Sequence, residues 1–438
     1  MRISLPLMAT LLAMTLLIQP ARAASAGIEL DSVNKAAVAY QNPNNLAMEQ
    51  MFRKALLNTM RQASYSKDGT VYLKTGDIPA EWLRDSSAQA RPYLFFAAQD
   101  PAVRDLMRGI IARQGKYLQL DPYANAFTEN YGIWERKYEL DSLAYPILLA
   151  WTYWKTTGDS SIFTSDLSLG FDAALNTMVT EQNHATQSQY KNPHLSNKGH
   201  AFPVSRNGMV WSGFRPSDDA CRYNYLIPSE MMAVVALGAL SEIERSVYHD
   251  QDKASKAQRI RQEIHQGIQK HGIVHDSRYG DVYAYEVDGR GNYMLGDDAN
   301  SPSLLSAPYF GYGSVNDRVY QNTRRLLLSR HNPYYYRGAV ASGIGSPHTP
   351  HGYIWPLALV IQSLTSTNKA ERDTLLTEIL ASDPGDHLLH ESFDRNDAKR
   401  FTRPDFGWPN ALFSEMVLQV LPGRQPLPNP SNDDLKFR

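Results

Sequence analysis

Residues 47–62, AMEQMFRKALLNTMRQ, place Met48, Met51, Phe52, Ala55, Leu56 and Met60 at i, i+3, i+4 spacing. That is the buried stripe of an amphipathic helix, and it cannot be read as a strand, whose apolar residues would alternate. The same spacing recurs at about 86–97, 102–118, 138–157, 169–181, 228–246, 252–270, 301–307, 316–330, 353–365, 369–381 and 409–420. Roughly a dozen helices are therefore expected. Strand signals are local: KDGTVYLKTGD (67–77) and YAYEVDGRGNYML (283–295) put Asp-Gly turns between short apolar runs, the chemistry of hairpins. No fixed-period repeat supports an α-solenoid. The expectation is an all-α fold, an (α/α)6 toroid with β-hairpin ornaments in its loops, one rim of which gathers the long connections into a site.

The chain opens with Arg2, an apolar run from Ile3 to Ile18, and Ala21-Arg22-Ala23, the pattern of an export leader cut after Ala23. The run is shorter than the roughly 20 residues of a spanning helix. The expected layout is thus a signal peptide at 1–23, a single catalytic domain at 24–425, and an extended or disordered tail at 426–438. The mature protein is expected in the periplasm or secreted, with no membrane partner after cleavage. Loss of Arg2 and Arg22 with the leader takes the net charge from −1 to about −3. No basic block is present, so nucleic acid is not an expected partner. One cysteine, Cys221, allows no internal disulfide.

Five polar-aromatic clusters interrupt the helical segments: 78–89, 129–146, 210–228, 296–312 and 387–410. Carboxylates and arginines set among tryptophan, tyrosine and phenylalanine suit a cleft for a polar, ring-shaped ligand. In WLRDSSAQ, Arg84 and Asp85 beneath Trp82 would grip adjacent hydroxyls, although Asp85 or Ser86 equally suits a helix cap. Glu139 and Asp141 open a helix in YELDSLAYP. Asp297-Asp298 lacks the glutamate of a calcium loop, there is no His-Glu-x-x-His, and the pairs His348/His351 and His387/His390 suit hydroxyl binding better than metal. No G-x-S-x-G elbow is present. Carboxylate chemistry remains. Asp218 or Asp219, adjacent in WSGFRPSDDACRYNYLIP, supplies one group and Glu391 in HESF the other, and no metal or cofactor is called for. Two such carboxyls, an acid and a base or nucleophile, cleave glycosidic bonds. The substrate-binding set comprises Trp82, Arg84, Asp85, Asp141, Trp211, Arg215, Asp219, His351 and Arg403, and the partner is an oligosaccharide.

The stretches WLRDSSAQ, WSGFRPSDDACRYNYLIP, DDANSPSLLSAPYFGY and HESF resemble glycoside hydrolase family 125, over nearly the whole mature chain. The resemblance implies an inverting, metal-independent exo-alpha-1,6-mannosidase on an (α/α)6 barrel, removing terminal mannose from alpha-mannosides such as N-glycan fragments. It implies Asp218 as general acid, Glu391 as general base, and Arg84 and Asp85 as holders of the terminal mannose. Asp219 stands as the alternative acid. The competing readings are another (α/α)6 glycosidase, such as a glucoamylase-like hydrolase, and a non-catalytic glycan-binding protein.

Overall fold

The computed structural model describes residues 28–421, 423–432, 434, 435 and 437; the expected leader lies outside the described residues. The main helices are α1 Asp31–Ala39, α2 Leu46–Gln62, α3 Leu83–Ala90, α4 Pro101–Leu120, α5 Leu140–Thr157, α6 Ser165–Gln182, α7 Ile227–Ile243, α8 Gln251–Gly267, α9 Arg318–Leu327, α10 Pro356–Leu364, α11 Lys369–Ala381 and α12 Gly407–Gln419. Their starts carry recognisable signals. Asn45 caps α2 through Met48 N, and Asp100 caps α4 through Ala102 N with Pro101 at its first position. The stripe in α2 buries Met51, Phe52, Ala55, Leu56 and Met60. Each large side chain there contributes roughly 1.5–3 kcal/mol relative to exposure.

Packing order shows the toroid. Helix α3 packs against α5 and α12, α5 against α7, and α10 against α12, while α2, α8 and α11 back onto α12, α7 and α10 and the outer helices α4 and α6 pack on each other. Ser87 of α3, Tyr145 and Leu149 of α5, Met232 of α7, Ile361 of α10 and Leu412 of α12 surround one axial cavity of about 30 Å³. The sixth side of that cavity is closed by Ser301, Tyr309 and Phe310. Helix α7 is apolar on every side and almost wholly buried, as an inner-ring helix must be.

That sixth side corrects one expectation: 301–307 forms successive turns and no α-helix. Pro302 and Pro308 have no N–H to give. Ser306 Oγ accepts from Ser303 N at 2.7 Å, and Ser303 Oγ accepts from Ser306 N at 3.1 Å. Serine side chains here take the donors that helical carbonyls would otherwise use.

The described strands form six small antiparallel sheets of two or three strands. Both expected hairpins are present, Ala63–Tyr65 with Val71–Leu73 and Glu286–Val287 with Tyr293–Met294. Three small sheets frame the site. Glu81–Trp82 pairs with Ala126–Phe127, Tyr225–Leu226 with Glu286–Val287, and Tyr353–Ile354 with Ser392–Asp394. The tail has no helix or strand among its described residues, but it is fastened: Arg261 bonds Asp434 at 2.5 Å, and Phe437 meets the rings of His265 and Tyr312 edge-on.

Candidate active site

Strand Glu81–Trp82 runs directly into α3, so Trp82, Arg84 and Asp85 arrive at one rim of the toroid. No side chain caps this helix, which leaves Asp85 free of the capping alternative. Arg84 is the hub. Its guanidinium meets Glu139 Oε2 at 2.6 Å, Asp85 Oδ2 at 3.3 Å and Asp141 Oδ2 at 3.4 Å. All four side chains are buried. Ser142 and Ser229 donate to Glu139 and Asp141, and the Arg84 guanidinium sits 5.9 Å from the Trp408 ring centroid.

Asp218 projects from a turn in which Asp218 N bonds Arg215 O and Arg215 N bonds Asp219 O. Arg215 anchors this turn from below through Glu286 at 2.6 Å, and Ser217 Oγ anchors it through Asp298 at 2.7 Å. Asp297 accepts the backbone N–H groups of Leu304 and Leu305, so the second Asp-Asp pair is scaffold for the 301–310 turns. Among the described residues no three His, Cys, Asp or Glu side chains converge as a metal ion requires.

Glu391 enters from the far end of the chain, immediately before strand Ser392–Asp394, and is 6 % exposed. Arg403 approaches Glu391 Oε1 at 3.8 Å while bonding Asp77 Oδ1 at 2.6 Å and Thr75 O at 3.2 Å. Its guanidinium stacks 4.7 Å above the Phe406 ring.

These elements enclose a cleft of about 320 Å³, at the small end of the range for ligand pockets and suited to one sugar ring. Of the expected residues, Trp82, Arg84, Asp85, Asp218, Glu391 and Arg403 line it. The others lie elsewhere. Asp141 is buried behind Arg84, and Arg215 beneath the turn. Trp211 is in the core, its ring 3.8 Å from that of His184 and stacked on Tyr138. His351 sits exposed against Tyr336, and Asp219 faces His348 at 3.8 Å. Sequence reasoning missed Asn300, His348, Thr349, Trp355, Thr402 and Phe406 as lining residues. His348 was visible only as half of a histidine pair, and Thr402 and Phe406 flank an arginine that was selected.

Electrostatics divide the carboxyls. Burial pushes Asp85 up to about 6, with Arg84 opposing, and pushes Glu139 and Asp141 up as well. Glu391 is raised by burial against the pull of Arg403, Thr402 and His348. Asp218 goes the other way: burial raises it, but Arg84, Lys137, the neighbouring Glu139 carboxyl and His348 together hold it below the usual range. The Asp219 carboxylate, 3.8 Å away, holds His348 above the ordinary imidazole value. The cleft can therefore supply two carboxyls, one beside a buried neighbour whose proton affinity is raised, around a sugar-sized space.

Comparison with known proteins gives this arrangement its relatives. The family described as metal-independent alpha-mannosidase, glycoside hydrolase family 125, matches residues 45–418. The meiotically up-regulated gene 157 protein of Schizosaccharomyces pombe is 38% identical over 419 residues, covering 85% of this chain and 82% of its own. A solved Streptococcus pneumoniae structure, from a family of metal-independent alpha mannosidases, holds alpha-1,6-mannobiose in a non-productive complex. It is 42% identical with a TM-score of 0.83, over 89% of this chain and 96% of that one. A bacterial glucoamylase complexed with acarbose shares the fold alone, at 12% identity and a TM-score of 0.62, over 90% of this chain and 58% of that one.

Proposed function

Because the chain belongs to the metal-independent alpha-mannosidases of glycoside hydrolase family 125, we propose that it is an exported, inverting exo-alpha-1,6-mannosidase acting on terminal mannose of alpha-mannosides such as N-glycan fragments. The observation that carries this reading is the presence of Asp218 and Glu391, far apart in sequence, on the walls of one cleft of about 320 Å³. Buried Arg84 and Asp85 at that cleft suit the hydroxyls of a terminal ring and favour exo action. The alpha-1,6 preference is supported by the mannobiose held in the Streptococcus pneumoniae structure. Export is supported by the leader pattern at 1–23, and sequencing the N-terminus of the mature protein tests it, with Ala24 expected first.

In this mechanism Asp218 gives its proton to the glycosidic oxygen as the C1–O bond breaks. Glu391 takes a proton from water as that water's oxygen bonds C1 from the opposite face. Arg84 and Asp85 hold the ring, and Arg403 keeps the base ionised. Asp218 is preferred to Asp219 as the acid because Asp219 turns to His348 and does not line the cleft.

Leaving-group dependence tests the assignment. Asp218→Asn should cut turnover of alpha-1,6-mannobiose by roughly 10²–10⁴-fold. It should largely spare a dinitrophenyl mannoside, whose leaving group needs no proton. Selective loss in Asp219→Asn instead would reverse the roles. Proton NMR should show beta-mannose as the first product, and early alpha-mannose would remove inversion. Cleavage of 1,2- but not 1,6-mannobiose would remove the linkage.

A further inference from the structure

Behind Asp218 lies a side chain that the catalytic scheme leaves idle. Glu139 is 1% exposed and cannot reach a substrate, yet its carboxyl shares one amide with that of Asp218 and acts directly on it. Asn125 joins the two. Its Nδ2 lies 2.9 Å from Asp218 Oδ1, 3.3 Å from Glu139 Oε1 and 3.0 Å from Glu135 Oε2. The amide cannot be turned round, because its Oδ1 accepts the Lys137 N–H at 3.1 Å. An amide nitrogen has two hydrogens, and here three carboxyls compete for them. The conflict is relieved if one of the three carries a proton of its own and donates it to a neighbour.

Charge balance asks for the same proton. Arg84 is shared by Asp85, Glu139 and Asp141 and also acts on Asp218. Lys137 also acts on Asp218 and Arg403 on Asp85, but four buried carboxylates still outnumber these cations and do not all stay ionised. We infer that Glu139 and Asp218 form a dyad holding one proton, with Glu139 as the positioning residue that keeps this proton beside the acid when the cleft is empty. Burial raises Glu139 well above the usual carboxylate range while Asp218 falls below it, which places the resting proton on Glu139. The other groups acting on the dyad are Arg84, Asp85, Asp141, Glu135, Lys137, Tyr190, Cys221 and His348.

The transfer balances. Glu139 passes its proton to Asp218, and Asp218 passes one to the leaving oxygen as C1–O breaks and the water oxygen bonds C1. The proton from that water goes to Glu391. After product release Glu391 returns a proton to solvent and the anionic dyad takes one back.

This rests on Asp218 being the acid, and the test separates the two ideas. In the pH profile of kcat/KM for alpha-1,6-mannobiose, the alkaline limb marks loss of the dyad proton. Glu139→Gln cannot store a proton, so Arg84 and Lys137 act on Asp218 alone and it ionises at lower pH. The limb should fall by about one unit or more, and turnover at neutral pH should fall roughly 10-fold to 10²-fold. The dinitrophenyl mannoside should be nearly unaffected. Glu139→Asp retains a titrating carboxyl, so its limb should lie between the two, and it carries the test if the amide variant does not fold. Limbs unmoved in the folded variants, or equal losses on both substrates with the limb in place, would overturn the dyad. If Asp218→Asn keeps its selective loss in that case, the acid assignment survives without it.

Discussion

Asp218 has φ 66° and Arg403 φ 48°, so two cleft residues occupy the left-handed region that side chains other than glycine and asparagine seldom visit. Such strain, on both the proposed acid's and the proposed base's side of one cleft, is usual at functional sites. It also favours asparagine at 218, which tolerates that backbone, over alanine as the probe of the acid. On the base side, Arg403 pulls Glu391 down against burial. As the proposed base, Glu391 must be ionised to act. Removing the cation in Arg403→Gln therefore raises Glu391 further, and the acidic limb of kcat/KM should move to higher pH by about one unit. Uniform loss with that limb in place would mean that Arg403 only binds sugar. Glu391→Gln should depress mannobiose and the activated aryl mannoside alike, by about 10²–10⁴-fold, since water must be deprotonated whichever group leaves. Residue types were legible in the sequence, but their orientation was not. Trp211 has the composition of a sugar platform, and only the packing of His184 and Tyr138 around it shows that it is core.

At the scale of elements, periodicity located the helices because burial stripes are local, repeating properties. It failed at 301–307, where apolar spacing is present but proline and serine consume the backbone donors. It could not report which connections meet. His348 and Trp355 line the cleft from the connection before α10, and no spacing along the chain encodes that approach. Helix contacts carry their own prediction. A side chain at Gly170 of α6 would meet the Gly115 carbonyl oxygen of α4 at 2.6 Å, so these helices touch backbone to backbone. Gly170→Ala should force them apart and cost roughly 1–3 kcal/mol in denaturant unfolding. Because this contact lies in the outer layer, kcat/KM of the folded variant should remain at the wild-type level.

Across the whole molecule, the tail acts as a strap. Asp434 neutralises the buried guanidinium of Arg261, Asn432 also accepts from it, and Leu427 is buried. Deleting 426–438 should lower the unfolding free energy by roughly 2 kcal/mol or more, from the uncompensated guanidinium and lost apolar cover. Thermal unfolding measures this, and an unchanged midpoint would show the strap to be passive. The toroid closes late: α12 packs on α2 and α3, joining the end of the ring to its beginning. This closure has a consequence in time. A chain leaving the ribosome exposes Trp82, Arg84, Asp85 and Asp218 long before Glu391 and Arg403 have been made. On the proposed assignment of Glu391 as base, the growing polypeptide is hydrolytically silent through nearly all of its synthesis, and activity first appears when the last inner helix docks against the first.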